Sequence, residues 1–247
     1  LTLGSQVDHA TPVKVSYTDP TGSNDINAIQ DTDGNDAADL NNRGVRNLRG
    51  FSTYLNNIQS YSYQLGNTYQ EVKNTYAFAV LKDDGSVVTW GKGGYGADSS
   101  SVSSSLSSGV SQIYSTYGAF AALKDDGSVV TWGWSGLGGD SSSISSSLSS
   151  GVSQIYSNYG AFAALKDDGS VVTWGASGDG GDSSSVSSSL SSGVSQIYST
   201  YGAFAALKDD GSVVTWGNSS YGSDSSSVSS SLSSGVSQIY STYGAFA

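Results

Sequence analysis

The chain has 247 residues, enough to bury a sizeable core or to hold two modules, and carries a net charge of −11 with only ten Lys and Arg. That balance disfavours nucleic acid and anionic membrane surfaces as partners, because both require dense positive charge. Cys is absent, which excludes disulfides, thiolate metal sites and Cys nucleophiles.

Three zones follow one another. Residues 1–50 are Asp/Asn-rich and do not repeat. Residues 51–70 are rich in Tyr, Asn and Gln and read as a connector. From residue 71 to 247 a block of 42 residues recurs: Leu81, Leu123, Leu165 and Leu207 each open the string Leu-Lys-Asp-Asp-Gly-Ser-Val-Val-Thr-Trp-Gly. Periods of about 20–50 residues mark solenoids, propellers or arrays, in which each unit buries its apolar faces only against the next. No stretch approaches the ~18 apolar residues of a spanning helix, so no membrane insertion is expected. The chain starts at Leu1 and stops inside a fresh Gly-Ala-Phe-Ala, so both ends read as cut from something longer.

Within one unit, Val110 to Ser115 predicts a first strand, Ala119 to Lys124 a second, and Ser128 to Trp132 a third. Asp125-Asp126-Gly127 predicts a three-residue hairpin loop closed by Gly in the left-handed region. That register opposes Phe120 to Trp132 and Leu123 to Val129. One face of the hairpin then carries Ala121, Leu123 and Val129, and the other Phe120, Ala122, Val130 and Trp132. Two apolar faces require a neighbour on each side, as in the blades of a propeller, and every unit's Trp, Trp90 included, is expected to be covered. The Ser-rich stretch from Asp98 to Gly109 links one unit to the next. Val102 and Leu106 are spaced to share one side of a helical turn capped by Asp98, or of an extended strap, and to pin the segment to the sheet edge.

The string Phe-Ala-Ala-Leu-Lys-Asp-Asp-Gly-Ser-Val-Val-Thr-Trp-Gly resembles the core of the regulator-of-chromosome-condensation repeat. With the Ser-Gly-Val-Ser-Gln-Ile strand it is similar to the shorter bacterial version, found in a secreted β-lactamase-inhibitor propeller. The resemblance implies a β-propeller, usually of seven blades. This chain has four hairpins and part of a fifth, and Ser-rich links where the inhibitor family has Pro-containing ones. In the first zone, residues 15–25 and 28–40 resemble the closing strands of an immunoglobulin-like module of giant bacterial surface proteins, of the swimming-motility surface protein type. The expected fold is therefore all-β: a partial β-propeller, an open arc of about four to five antiparallel blades, with an incomplete N-terminal β-sandwich fragment.

Candidate sites are few. Asp31, Asp33, Asn35 and Asp39 have calcium-loop spacing, but Asp36 stands where the loop needs Gly and Asn42 where it needs the bidentate Glu. An acidic interstrand loop is favoured there over calcium, and no other cofactor is implied. The carboxylate pairs Asp83/Asp84, Asp125/Asp126, Asp167/Asp168 and Asp209/Asp210 recur in every unit and fit solvated hairpin turns better than acid–base catalysis. His9 is the only histidine, which makes a Ser-His-Asp triad improbable. Gly93-Gly94-Tyr95-Gly96 and its counterparts are loop glycines, not a nucleotide fingerprint.

The units differ after each Trp-Gly: Lys92 and Tyr95, Trp134 and Leu137, Ala176 and Asp179, Asn218 and Tyr221. A constant framework with one variable loop per unit places Tyr95, Trp134, Leu137, Asp179 and Tyr221 as candidate partner contacts on one rim, with drift at exposed positions as the bland alternative. The expected function is a non-catalytic structural or adhesive repeat segment of a large secreted or cell-surface bacterial protein, contacting protein or glycan through these loops. An acidic, Ser/Gly/Thr/Asn-rich and Lys-poor repeat fits an extracellular location. The alternative is a protein-inhibitor-like propeller that binds a specific enzyme; an enzyme is the least favoured, since no cluster of non-repeated His, Arg and carboxylates is present. Open repeat ends also predict self-association.

Overall fold

A computed structural model describes residues 13–17, 40–45 and 74–247 of the chain. The chain divides into two compact units, Leu1–Gln59 and Ser60–Ala247. In the first, strands β1 (Val13–Tyr17) and β2 (Leu40–Val45) pair antiparallel, with Val13 opposite Val45 and Tyr17 opposite Leu40. Asp31, Asp33, Asn35 and Asp39 lie outside the described residues, as does the connector at 51–70.

The second unit is a succession of small antiparallel sheets, the blades of an open propeller arc. Among the described residues the first blade has two strands, β3 (Ala77–Leu81) and β4 (Val87–Gly91). The second contains β5 (Val110–Ser115), β6 (Ala119–Lys124) and β7 (Val129–Gly133). The third contains β8 (Val152–Ser157), β9 (Ala161–Lys166) and β10 (Val171–Gly175), and the fourth β11 (Val194–Ser199), β12 (Ala203–Lys208) and β13 (Val213–Gly217). The middle strand of each three-stranded blade is the Ala-Phe-Ala-Ala-Leu-Lys segment. In the last copy a single bridge joins Ser241 to Phe246.

Phe120 opposes Trp132 and Leu123 opposes Val129, as the hairpin loop requires. The turn closes with bonds from the Lys124 amide to the Ser128 carbonyl, 2.9 Å, and from the Gly127 amide to the Lys124 carbonyl, 3.0 Å. Gly127 has φ +75, and a Cβ there would come 2.8 Å from the Gly151 amide, so the position is closed to other residues on two counts. Asp126 accepts from the amide and hydroxyl of Ser128 at 2.9 and 2.6 Å, an Asx-type turn. Asp84, Asp168 and Asp210 do the same with Ser86, Ser170 and Ser212.

The first strand of each blade departs from simple alternation. A register shift between Val110 and Gln112 lets the Ser111 hydroxyl bond to the Leu123 carbonyl, 3.0 Å. This bulge brings Val110 and Ile113, three residues apart, into the same apolar cluster, which strict period-two geometry forbids. The same shift recurs at Val152/Gln154 and Val194/Gln196.

Successive blades pack face to face. Ala121 and Leu123 of the second blade meet Phe162, Ala164 and Trp174 of the third. Ala163 and Leu165 of the third meet Phe204, Ala206 and Trp216 of the fourth. Alanines in the central strand allow the close approach, and the Phe–Trp pair, stacked at 5.2, 5.1 and 5.4 Å in the second, third and fourth blades, fills the gap. The linking segment forms a short 3-10 turn at Ser100–Val102, opened by Asp98, whose carboxylate accepts from the Ser100 amide at 3.0 Å. Leu106 behind it is buried, and its carbonyl accepts from the Val87 amide at 2.9 Å, so the strap ties one blade's hairpin to the next blade.

Coverage is not uniform. Trp132, Trp174 and Trp216 are almost wholly buried, whereas Trp90 is 49% exposed, together with Phe78 and Val88. The expectation for Trp90 is corrected: this face is covered by the preceding blade in the later units, and among the described residues no blade precedes the first.

Candidate interaction surface

The chain direction sorts the turns. Hairpin tips and straps lie at one end of every blade; the turn that precedes the central strand and the variable loop that follows Trp-Gly lie at the other. The carboxylate pairs therefore belong to the tip end, away from the variable loops.

One polar residue couples the two features at the rim. The Thr116 hydroxyl accepts from the Ala119 amide at 3.1 Å and donates to the Leu137 carbonyl at 2.9 Å. Thr200 does the same with Ala203 and Tyr221 at 3.1 and 2.8 Å. Asn158 accepts from Ala161 at 2.8 Å and donates to the Asp179 carbonyl at 2.6 Å, and Asn74 links Ala77 and Tyr95 at 2.9 and 2.5 Å. In every blade the framework holds the backbone of the variable residue through its carbonyl, a contact that does not depend on its side chain. That is a physical reason why Tyr, Leu, Asp and Tyr are tolerated at one position.

The rim also carries a ladder that sequence reasoning left in the framework. Tyr117 stacks on Tyr159 at 4.9 Å and Tyr159 on Tyr201 at 4.7 Å, and Tyr201 packs tilted against Tyr243 at 4.8 Å. These distances match the ~4.7–4.9 Å spacing of hydrogen-bonded strands. The backbone explains the match: the Tyr117 amide donates to the Tyr159 carbonyl, Tyr159 to Tyr201 and Tyr201 to Tyr243, at 3.0, 3.0 and 2.9 Å. One backbone bond thus joins each turn to the equivalent turn of the next repeat. The signal was present in the sequence, a Tyr before Gly repeating every 42 residues at a turn. At the start of the ladder Thr75 takes the Tyr place, and Tyr76 reaches across so that its hydroxyl lies 2.8 Å from that of Tyr117.

The variable residues flank this ladder. Tyr95 packs on Tyr76 at 4.5 Å and edge-on against Trp134 at 5.5 Å. Tyr95, Trp134 and Leu137 all approach the open side of Gly118, within 3.1–3.2 Å of where a Cβ would stand. Asp179 spans the Gly160 and Gly202 turns, and Tyr221 approaches Gly202 and packs on Tyr201 at 5.1 Å. Trp134 is 44% exposed, and Tyr95, Asp179 and Tyr221 are half-buried. Leu137 is only 8% exposed and serves as packing between neighbouring turns rather than as an open contact. The outcome is a strip of rings running from Tyr76 to Tyr243.

Electrostatics along the strip are uneven. Lys92 Nζ lies 4.5 Å from the ring centre of Tyr95 in its own loop and 5.1 Å from that of Tyr76 in the turn before β3, a cation–π arrangement. Burial raises the Asp179 carboxyl above its ordinary pKa. The hydrogen bond with Tyr76, followed by burial, raises Tyr117, and burial raises Tyr201. Among the described residues no group of three or more His, Cys, Asp or Glu is placed to hold a metal, and no helix is long and apolar enough to cross a membrane.

No family model matches the chain, and no curated protein matches it. Among solved structures the chain is similar to Prp20p from Saccharomyces cerevisiae at 16% identity, over 63% of this chain and 44% of that one, with a TM-score of 0.42. It is similar to the ectodomain of the Physcomitrella patens receptor kinase CR4 at 14% identity, over 62% and 41%, with a TM-score of 0.39. Human WBSCR16 is similar at 22% identity, over 72% and 51%, with a TM-score of 0.35. The chain thus spans between 41% and 51% of the length of these proteins.

Proposed function

We propose that the chain is a non-catalytic repeat segment of a large secreted or cell-surface protein of bacterial type, and that the ring strip contacts a protein or a glycan. One observation carries this: in each blade an Asn or Thr holds the variable loop's backbone in the same way while the side chain changes, so the loop keeps one conformation as its residue varies. Partly exposed Tyr and Trp supply apolar area with few rotatable bonds, a composition suited to recognition. The acidic, Ser/Gly-rich and Lys-poor composition supports an extracellular location. The exposed Phe78, Val88 and Trp90 face supports self-association with a second copy, because the same face is covered by a preceding repeat in later blades.

The test is binding of the full chain to immobilised polysaccharides and purified surface proteins, read by biolayer interferometry. Trp134→Ala and Tyr221→Ala are each expected to weaken a bound partner about tenfold, the effect of losing an interfacial aromatic anchor. Undiminished binding in both variants would remove the strip from the site.

A further inference from the structure

Asp179 differs from every other variable rim residue in bringing a carboxylate into a strip of rings. One of its oxygens approaches the Gly160 turn, and the other lies 3.0 Å from the point above Gly202 that a Cβ would occupy. Tyr221 Cδ2 lies 3.0 Å from that same point, and Tyr201 packs on Tyr221 at 5.1 Å. Tyr201 is itself packed between Tyr159 and Tyr243 at 4.7 and 4.8 Å, so the ring that the carboxylate borders is Tyr221. Its backbone carbonyl is held by Asn158, but no ion pair engages the side chain among the described residues. Desolvation alone accounts for its raised pKa, so no donor compensates its charge.

The first variable loop shows what such a surface accepts. There Lys92 lays its ammonium over Tyr95, the counterpart of Tyr221, and over Tyr76. At the place of Lys92 the fourth blade has Asn218, whose side chain is used to accept from the Ser220 amide. The described lysines of the other blades are engaged elsewhere: Lys124, Lys166 and Lys208 donate to the Ser105, Ser147 and Ser189 carbonyls at the tip end. The chain thus supplies a cation to Tyr95 in its first loop and leaves Tyr221, beside Asp179, without one.

We propose that Asp179 and Tyr221 receive a cationic side chain, foremost arginine, from a basic segment of a partner polypeptide. This rests on the strip being a contact surface and names the chemistry it contacts. A guanidinium stacks on a ring face and forks onto a carboxylate at the same time, which an ammonium or a sugar hydroxyl does less well. The net charge of −11 draws a basic segment towards the chain and keeps acidic ones away.

The experiment titrates the full chain, labelled with fluorotyrosine, with acetyl-Gly-Arg-Gly-amide, its Lys analogue and its Gln analogue, read by fluorine NMR. A shift of the Tyr221 signal with the Arg peptide, weaker with Lys and absent with Gln, is expected. Asp179→Asn should weaken the Arg peptide about tenfold, as loss of a charge-assisted pair does, whereas Asp210→Asn, the same charge change at the tip end, should leave it unaltered. Equal losses in both variants, or equal shifts with Arg and Gln, would overturn the proposal. A partner whose binding falls with Trp134→Ala but not with Asp179→Asn would overturn it too, while leaving the strip's role as a contact surface intact.

Discussion

The Trp174 indole nitrogen donates to the carbonyl of Gly138, 3.1 Å away and 36 residues earlier, in the loop that follows the preceding blade. Trp132 and Trp216 make the same bond to Gly96 and Gly180 at 2.9 and 3.1 Å. The largest side chain of each of these blades is therefore both its apolar filling and the polar tie to the blade before it. Satisfying the indole N–H is what allows it to be buried.

Trp174→Ala should destabilise the array by about 3–5 kcal/mol, through the cavity and the lost bond. Trp90→Ala should cost less than about 1 kcal/mol, because that ring is already half in water. Urea midpoints of the two variants against the parent chain check the contrast, and equal losses would contradict the unequal burial of the blades.

Gly138→Ala should destabilise the chain by about 1–3 kcal/mol. The residue has φ +97, and a Cβ would stand 2.6 Å from Cδ2 of Phe162. Thermal melts should show the loss, and Gly178→Ala, where nothing lies within 4 Å of a Cβ, should melt close to the parent.

Leu148→Ala in the strap should cost about 2–5 kcal/mol, since the side chain is 2% exposed and packs against both adjoining blades. Val228, in the corresponding place of the last strap to Val102, is 48% exposed, and its replacement by Ala should be nearly silent. Chemical denaturation distinguishes a strap that contributes to the core from a mere linker.

Acid should weaken the fold through the hairpin tips. Bonds from the hydroxyl and amide of Ser86, Ser128, Ser170 and Ser212 hold Asp84, Asp126, Asp168 and Asp210 below the ordinary carboxylate range. A carboxyl with a lowered folded pKa contributes stability that is present above the unfolded value, about 4, and lost as pH falls through the folded one. Asp179 acts in the opposite sense: its raised pKa means that stability is gained as pH falls through it. Melting temperature measured from pH 7 to pH 2 should fall below pH 4, and less steeply when the four tip residues are replaced by Asn.

Self-association should depend on the exposed first blade. Trp90→Glu is expected to shift sedimentation profiles towards the monomer at concentrations where the parent chain associates, because the new charge lies on the face whose counterparts are covered in later blades. Unchanged profiles would place any association elsewhere.

Much of this was legible from residue order. The 42-residue period, the hairpin tip at Asp125-Asp126-Gly127, the opposition of Phe120 to Trp132 and the two apolar faces all rest on neighbours close in sequence, where turn chemistry and period-two alternation apply directly. The rim position of Tyr95, Trp134, Asp179 and Tyr221 followed from strand direction alone.

Other features were decided only by packing between units. The bulge at Ser111 exists because Val110 and Ile113 must both meet the same neighbouring sheet, a demand no single strand expresses. Leu137 turned inward, and the tyrosines of separate turns became one ladder, because their contacts join residues of different repeats. Trp90 and Trp132 occupy equivalent sequence surroundings and differ in exposure, 49% against 3%, since burial belongs to the pair of blades and not to the motif. Local order determined what each unit is; the distance between units determined which of its side chains meet water, a ring or a charge.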